Sequence, residues 1–386
     1  PGTLPGESLG GLIMGADRCQ KIEEALQAFA LDGAVKAYER YGSGHINDTF
    51  RMTCEKDGKE IHYILQRMNT EVFKDPVSLM KNIIGVTSFM RKKIIEQGGD
   101  PERETLNLVP TKDGKLYFVD SSNSYWRVYL FIEDTACYDL VEKPEDFYNS
   151  GKAFGHFQRL LSEYPAKELT ETIQNFHNTP VRFETFQKAV EEDICGRRKD
   201  VEKEIQFVRD RAGEMGKAMD MLAEGRLPLR VTHNDTKLNN IMFDKKSGDA
   251  LCIIDLDTIM PGLSIFDFGD SIRFGANTGA EDEPDLSKVS MSLELFELYT
   301  KGFLEGCQGS LTKEEVDMLP MGAKLMTLEC GMRFLTDYLQ GDVYFHTTYP
   351  EHNLVRCHTQ FEMVADMERK WAQMEEIVKR QAENIR

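Results

Sequence analysis

From Val231 the chain reads Val231-Thr-His-Asn-Asp-Thr-Lys-Leu-Asn-Asn240, and a little later Leu251-Cys-Ile-Ile-Asp255. Between them, Ile241–Phe243, the turn Lys245-Lys-Ser-Gly-Asp249 and Leu251–Ile254 predict a β-hairpin. A hairpin folds the chain back on itself, so Asp255 is expected beside Asn240 despite their separation in sequence. Asp235, Asn240 and Asp255 then form one group. The first carboxylate is placed to hold an attacking hydroxyl; the amide and the second carboxylate suit a divalent cation lying on phosphates. A turn-capping Asp, a loop Asn and a strand-end Asp would explain each residue singly, but not all three with the hairpin between them.

This order resembles the His-Arg-Asp…Asn and Asp-Phe-Gly order of protein kinases, with the arginine and the glycine replaced. The rest of the chain predicts a matching α+β architecture, a two-lobed protein-kinase-like fold. Residues 1–15 are rich in Gly and Pro and are expected to be a flexible amino terminus. Residues 16–132 form the expected smaller β-rich N-lobe: a helix at 17–29, strands near 35–40, 49–54 and 62–68, a helix at 76–95, and strands at 116–119 and 125–132. Lys56-Asp-Gly-Lys59 reads as a hairpin turn, and Asp75-Pro76 as a helix start. Residues 133–386 form the expected larger C-lobe, with helices at about 145–162, 181–195, 199–224, 287–306, 312–339 and 355–384.

At 386 residues the chain is long enough for two such lobes. Its net charge of −18 argues against nucleic acid or an anionic membrane as partner. That charge admits a nucleotide that arrives with magnesium, and it keeps a cationic substrate open. No apolar stretch approaches the roughly 18 residues needed to span a bilayer. No leader pattern is legible either, so the expected location is cytoplasmic. The eight cysteines include no Cys-x-x-Cys pair and read as reduced, buried thiols.

Tyr41-Gly-Ser-Gly-His-Ile-Asn-Asp-Thr-Phe50 lies between two strands, where a phosphate-covering hairpin belongs. Backbone N–H groups of Ser43, Gly44, His45, Ile46 and Asn47 are expected to face phosphates there. Arg67 ends the strand Tyr63-Ile-Leu-Gln-Arg67, on one face with Tyr63 and Leu65, and can grip phosphate oxygens in two places. The acidic partner sought on the following helix is missing, because residues 76–95 contain no Asp or Glu.

His233, two residues before Asp235, is expected to stiffen its loop rather than act as a base. Asp267 is expected to brace the same loop through backbone N–H groups. Asp257 either touches a second metal or caps the turn before Pro261-Gly262. Arg333 and Asp337 share a helix face, as a surface ion pair or in a sugar pocket.

His233, Asp235, Asn240, Ile254, Asp255 and Asp257 fit the pattern H-x-D-x4-N followed by I-D-x-D/E. On these residues the chain resembles the aminoglycoside phosphotransferase and choline kinase-like family. Gly44–Phe50, Ile64–Arg67, His233–Met242, Asp255–Gly262 and Phe266–Asp270 resemble its N-acetylhexosamine 1-kinase branch. The resemblance implies ATP- and Mg2+-dependent phosphorylation of the anomeric hydroxyl of GlcNAc or GalNAc. It implies that Asp235 serves that hydroxyl, that Asn240 and Asp255 hold magnesium, and that Phe131, Ile132 and Glu133 meet adenine through their backbone. Thr258, Arg333 and Tyr344, and less strongly His177, become candidate sugar ligands. The expected partners are ATP and an amino sugar, with the chain a monomer or weak homodimer. A kinase for another small alcohol or amine (an aminoglycoside or choline) and a nucleotide-binding pseudokinase are the alternatives.

Overall fold

In the computed structural model, which describes residues 21–42 and 46–385, the turn Asp57-Gly58 sets the register of the first sheet. Both residues have positive φ, 53° and 76°, the twist that a two-residue hairpin requires. The turn joins β2 (Asp48–Lys56) to β3 (Lys59–Arg67), with Lys56 opposite Lys59 and Asp48 opposite Arg67. β1 (Ala34–Arg40) pairs with β2. β5 (Tyr125–Leu130) pairs with β3 and carries β4 (Phe118–Val119) on its other edge. The antiparallel order is β1-β2-β3-β5-β4.

The period of two decides which side of this sheet is dry. Phe50, Met52, Cys54, Tyr63, Leu65, Trp126 and Val128 are buried together with Ile22 and Ala25 of helix α1 (residues 21–28). The opposite side carries Arg127, whose Nη1 lies 3.7 Å from Sδ of Met80 on α2 (Pro76–Glu96). Asp75 caps α2 by accepting from the Ser78 N–H at 3.1 Å, and Pro76 occupies the first turn, where no N–H is needed. A single turn, α3 (Pro101–Glu104), follows. This first unit ends at Asp134 and the second begins at Thr135. The proposed phosphate-loop residues Ser43, Gly44 and His45, and the expected flexible segment 1–15, lie outside the described residues.

The second unit is mainly helical. Its helices are α4 (Pro144–Leu160), α5 (Thr179–Glu192), α6 (Glu202–Asp210), α7 (Ala212–Met215), α8 (Lys217–Ala223), α9 (Ser264–Gly275), α10 (Leu293–Cys307), α11 (Lys313–Asp317), α12 (Leu319–Gln340), α13 (His352–Arg369) and α14 (Trp371–Glu383). Two small sheets interrupt them. β7 (Arg230–Thr232) pairs with β10 (Met260–Gly262), and β6 (Thr135–Ala136), β8 (Ile241–Asp244) and β9 (Ala250–Ile253) form a ribbon in the order β6-β8-β9.

Three long helices expected from periodicity are broken. The 199–224 segment breaks at Arg211 and Gly216, and the 355–384 segment at Lys370. The 312–339 segment breaks at Met318, where Pro320 starts a new first turn in α12. Helix α9 was not anticipated. Ser264 through Gly269 are all buried, so the first half of this helix offers no exposed polar face to mark it. Cys137 and Cys195 are exposed, against the expectation of buried thiols. Among the described residues no helix is long and apolar enough to cross a membrane.

Helix α9 crosses α12 at two glycines. A Cβ on Gly269 would strike the Gly322 carbonyl, and one on Gly322 would strike the Ile265 carbonyl. The backbones can approach this closely only without side chains. Gly269→Ala is therefore expected to cost about 1–3 kcal/mol, the usual range for overpacking, and to lower the urea midpoint; an unchanged midpoint would contradict the close crossing.

Candidate active site

The loop from Thr232 to Asn240 is shaped by hydrogen bonds that leave little freedom to Asp235. Asp267, in the first turn of α9, accepts from the backbone N–H of His233 at 2.8 Å and of Asn234 at 2.9 Å. Asn234 sits at φ 68°, a left-handed conformation that asparagine tolerates better than most residues. Its side-chain amide donates to the carbonyl of Thr258 at 2.8 Å and to the hydroxyl of Thr232 at 3.0 Å.

His233 is fully buried between Phe154 and Phe157. Its Nδ1 accepts from the Asp235 N–H at 3.1 Å, so Nε2 is the ring nitrogen that donates, to the Ile254 carbonyl at 2.9 Å. One imidazole thus ties the loop to the end of β9. Burial raises the Asp267 carboxyl above the ordinary aspartate value, against the opposing pull of His233, the two backbone hydrogen bonds and His177.

The hairpin brings Asp255 next to Asn240. Ile241 faces Ile253 across the ribbon, and the Ile254 N–H donates to the Asn240 carbonyl at 2.8 Å. Asp255 then turns away at φ 56°. Asn240 spends its side-chain N–H groups on Asp235, at 2.8 Å to the carbonyl and 3.1 Å to the carboxylate. Oδ1 is therefore the Asn240 atom left for a cation, and Asp255, two residues past the strand partner of Ile241, would supply a carboxylate to an all-oxygen donor pair. Such a pair fits magnesium, which keeps several waters and needs few protein ligands beside phosphate oxygens. Among the described residues there is no group of three or more His, Cys, Asp or Glu side chains able to hold a metal. Asp257 is buried.

Lys237, which the sequence reading passed over, puts Nζ 3.8 Å from the Asp235 carboxylate. The Asp-x-Lys spacing was its available signal. Thr258 donates its hydroxyl proton to the His233 carbonyl at 2.7 Å, so it offers an acceptor substrate only lone pairs.

A second group of candidates lies where α5, α9 and α12 approach. His177 has its Nδ1 3.3 Å from the Glu329 carboxylate and its ring against Phe176 and Phe266. It is among the groups that oppose the effect of burial on both Asp267 and Asp270, which sets it beside the braced loop. Burial alone would raise Asp270; Arg273, at 2.9 Å, leads the groups that bring it net below the ordinary range. Arg333 donates to the Tyr344 hydroxyl at 3.4 Å and lies over the rings of Tyr344 and Phe345.

Asp337 does not form the surface ion pair with Arg333 that the spacing allowed. It is buried and accepts from the N–H groups of Val343, Tyr344 and Phe345 at 2.8–3.0 Å. Those bonds fix a loop that displays Tyr344, 70% exposed, beside Arg333.

In the first unit, Arg67 bonds Asp48 through Nε at 3.0 Å and Nη2 at 2.5 Å, and lies over Trp126. Its acid is thus on the neighbouring strand, not on a helix. Arg127, not singled out from the sequence, is buried and donates to Gln66 at 2.9 Å. Asn69 bonds the end of the phosphate-loop candidate, its N–H to the Asn47 side chain and its Nδ2 to the Ile46 carbonyl. Phe131 packs against Tyr41, His62 and Arg51. The Glu133 carbonyl accepts from Arg103 at 2.8 Å and its carboxylate meets His62 at 2.5 Å, while Ile132 is buried.

The model of the phosphotransferase enzyme family matches residues 37–288, well over half of the chain. An aminoglycoside phosphotransferase from Alicyclobacillus acidocaldarius is similar in structure at 13% identity, with 95% of this chain and 96% of that chain covered and a TM-score of 0.58. An ethanolamine kinase from Plasmodium vivax is similar at 15% identity, covering 84% and 82%, with a TM-score of 0.51. A spectinomycin phosphotransferase in complex with ADP and spectinomycin matches at 14% identity, covering 94% and 98%, with a TM-score of 0.52. These likenesses identify a protein-kinase-like α+β fold, with a β-rich amino-terminal sheet and a helical carboxy-terminal part.

The charged hydrogen bonds at Asp267 are each of a kind that contributes roughly 1.5–3 kcal/mol. Asp267→Asn replaces one accepting oxygen with a donor aimed at a loop N–H. It is expected to lower kcat by roughly 10- to 100-fold, with melting reduced only modestly. Retention of full kcat would show that Asp235 needs no brace from α9.

Proposed function

The chain belongs to the phosphotransferase enzyme family, and from that premise we propose that it is an ATP-dependent small-molecule kinase acting on N-acetylhexosamines. The reaction is transfer of the terminal phosphoryl group of ATP to the anomeric 1-hydroxyl of GlcNAc or GalNAc, giving the sugar 1-phosphate and ADP.

The observation that supports this reading is Asp235 pinned from both sides, by His233 at its N–H and by Asn240 at its carbonyl and carboxylate, with the Ile254 N–H tying the residue before Asp255 to the Asn240 carbonyl. Asp235 orients the acceptor hydroxyl and takes its proton as the oxygen–phosphorus bond forms and the bond from phosphorus to the ADP oxygen breaks. Asn240 Oδ1 and Asp255 would hold Mg2+, which supplies charge neutralisation on the phosphates when bound. Lys237, close to Asp235, adds a positive charge where phosphoryl oxygens pass.

In the first unit, Ser43 to Asn47 and Arg67 are assigned to the nucleotide phosphates, and the backbone of Phe131 to Glu133 to adenine. His177, Arg333 and Tyr344 are assigned to the sugar. A ring displayed beside a guanidinium suits an acceptor with apolar ring faces and hydroxyl or carbonyl oxygens. Thr258 adds lone pairs near the loop, and His233 and Asp267 are positioning residues.

The test is release of nucleoside diphosphate, with ATP and Mg2+, across N-acetylhexosamines, simple hexoses, choline, ethanolamine and aminoglycosides. N-acetylhexosamines are expected to give the highest kcat/KM. Turnover of choline or an aminoglycoside alone would reject the sugar assignment but keep the kinase, whereas nucleotide binding without any turnover would favour a pseudokinase. Asp235→Asn is expected to reduce kcat by roughly 10²- to 10⁴-fold, the usual weight of a positioned base, while leaving ATP affinity nearly unchanged. Loss of ATP affinity in parallel would place the residue in binding rather than in transfer.

A further inference from the structure

Arg182, on the first turn of α5, was assigned no role above. Its Nε lies 3.7 Å from Oε1 of Glu329, and its Nη2 donates to the Phe176 carbonyl at 3.1 Å. Glu329, on α12, is 2% exposed, and its other oxygen faces His177. Neither Arg182 Nε nor Glu329 Oε1 completes a hydrogen bond, so the pair is held by charge at a buried junction. Burial first, and then the nearby Arg333 guanidinium, push Arg182 below the ordinary arginine value, against the opposing influence of Glu329 and Tyr344. Two guanidinium groups thus stand together beside the displayed Tyr344 ring.

The charges are layered. Both acids of the cluster, Glu329 and Asp337, are 2% exposed, and Asp337 is occupied by loop amides. Asp270 and Glu281 are both paired to Arg273. Arg182 and Arg333 are only partly buried. A molecule arriving here therefore meets guanidinium N–H groups in front and carboxylates behind. Guanidinium groups donate hydrogen bonds and accept none. This layering opposes the charge of the whole chain, −18, which would otherwise draw cations to its surface.

We propose that Arg182, held by Glu329 beside Arg333, makes the acceptor pocket select against cationic acceptors and for an uncharged group that accepts hydrogen bonds, such as an acetamido carbonyl. The inference rests on the kinase reading above and deepens it by naming what the pocket excludes. Glu329 is a positioning residue in this scheme. It sets the direction of Arg182 and His177 and does not itself meet the acceptor.

The experiment compares kcat/KM for N-acetylglucosamine and for glucosamine, whose amine is protonated at pH 6.5, in wild type, Arg182→Met, Arg182→Lys and Glu329→Gln. Melting temperatures are measured alongside as a folding control. Wild type is expected to favour the acetylated sugar at least about tenfold, the factor that corresponds to 1.4 kcal/mol. Arg182→Met, which leaves the Glu329 charge uncompensated, should reduce the ratio about tenfold or more, mainly through the KM for glucosamine. Arg182→Lys should keep most of the ratio by keeping the cation, and Glu329→Gln should raise the acceptor KM without lowering the ratio.

An unchanged ratio in a folded Arg182→Met protein would overturn the inference while leaving the sugar kinase in place. Equal or better use of glucosamine by wild type would overturn it as well. Should neither sugar be phosphorylated, the functional proposal fails. The inference is then decided by calorimetric binding of the same two sugars to wild type and Arg182→Met. Absence of any preference there would end it.

Discussion

One buried carboxylate, Asp267, holds the N–H groups of two successive residues, and the shape of the loop around Asp235 follows from that. With His233 and Asn234 fixed, Asn234 adopts a left-handed turn and reaches Thr258, and the His233 ring is directed at the end of β9. The two bonds to Asp267 are charge-assisted, and the one to the His233 N–H is buried, where breaking it costs more than making it in water would gain. The α9–α12 crossing through Gly269 and Gly322 keeps the helix that carries Asp267 in place. Packing two residues away is therefore linked to the position of Asp235, the acid proposed to meet the acceptor hydroxyl.

The sheet of the first unit was readable because its signals are local. Lys56-Asp-Gly-Lys59 is a hairpin turn on any reading, and the strands around it alternate strictly. The hairpin that carries Ile254 to the Asn240 carbonyl was readable for the same reason, since a short hairpin has few ways to close. Helix α9 was not readable, because burial on all sides of Ser264–Gly269 blurs the period over its first half. The breaks at Met318 and Lys370 were missed because apolar spacing continues across them, and only Pro320 marks one of them.

Contacts distant in sequence were the least visible part of the candidate site. The acid holding Arg67 was sought on the next helix, where protein kinases carry it. It is Asp48, directly across the hairpin, and the register of β2 and β3 alone would have located it. Glu329 and Arg182 lie on helices whose contact no local pattern announces, so a buried Glu reads in sequence like any surface Glu. Asp337 was placed on the correct helix face but given the wrong partner. It accepts three bonds from a loop that follows in the chain and one from Asn353 on α13, an arrangement that spacing within the helix does not express.

In the proposed transfer the acceptor's own oxygen attacks phosphorus while Asp235 receives the proton. Carrying ¹⁸O in the 1-hydroxyl of the acceptor sugar and examining the product by ³¹P NMR tests this directly. The label is predicted to appear in the bridge between carbon and phosphorus of the sugar 1-phosphate. A product whose bridging oxygen is unlabelled, or label recovered only in water and inorganic phosphate, would contradict direct transfer to an acceptor hydroxyl at Asp235.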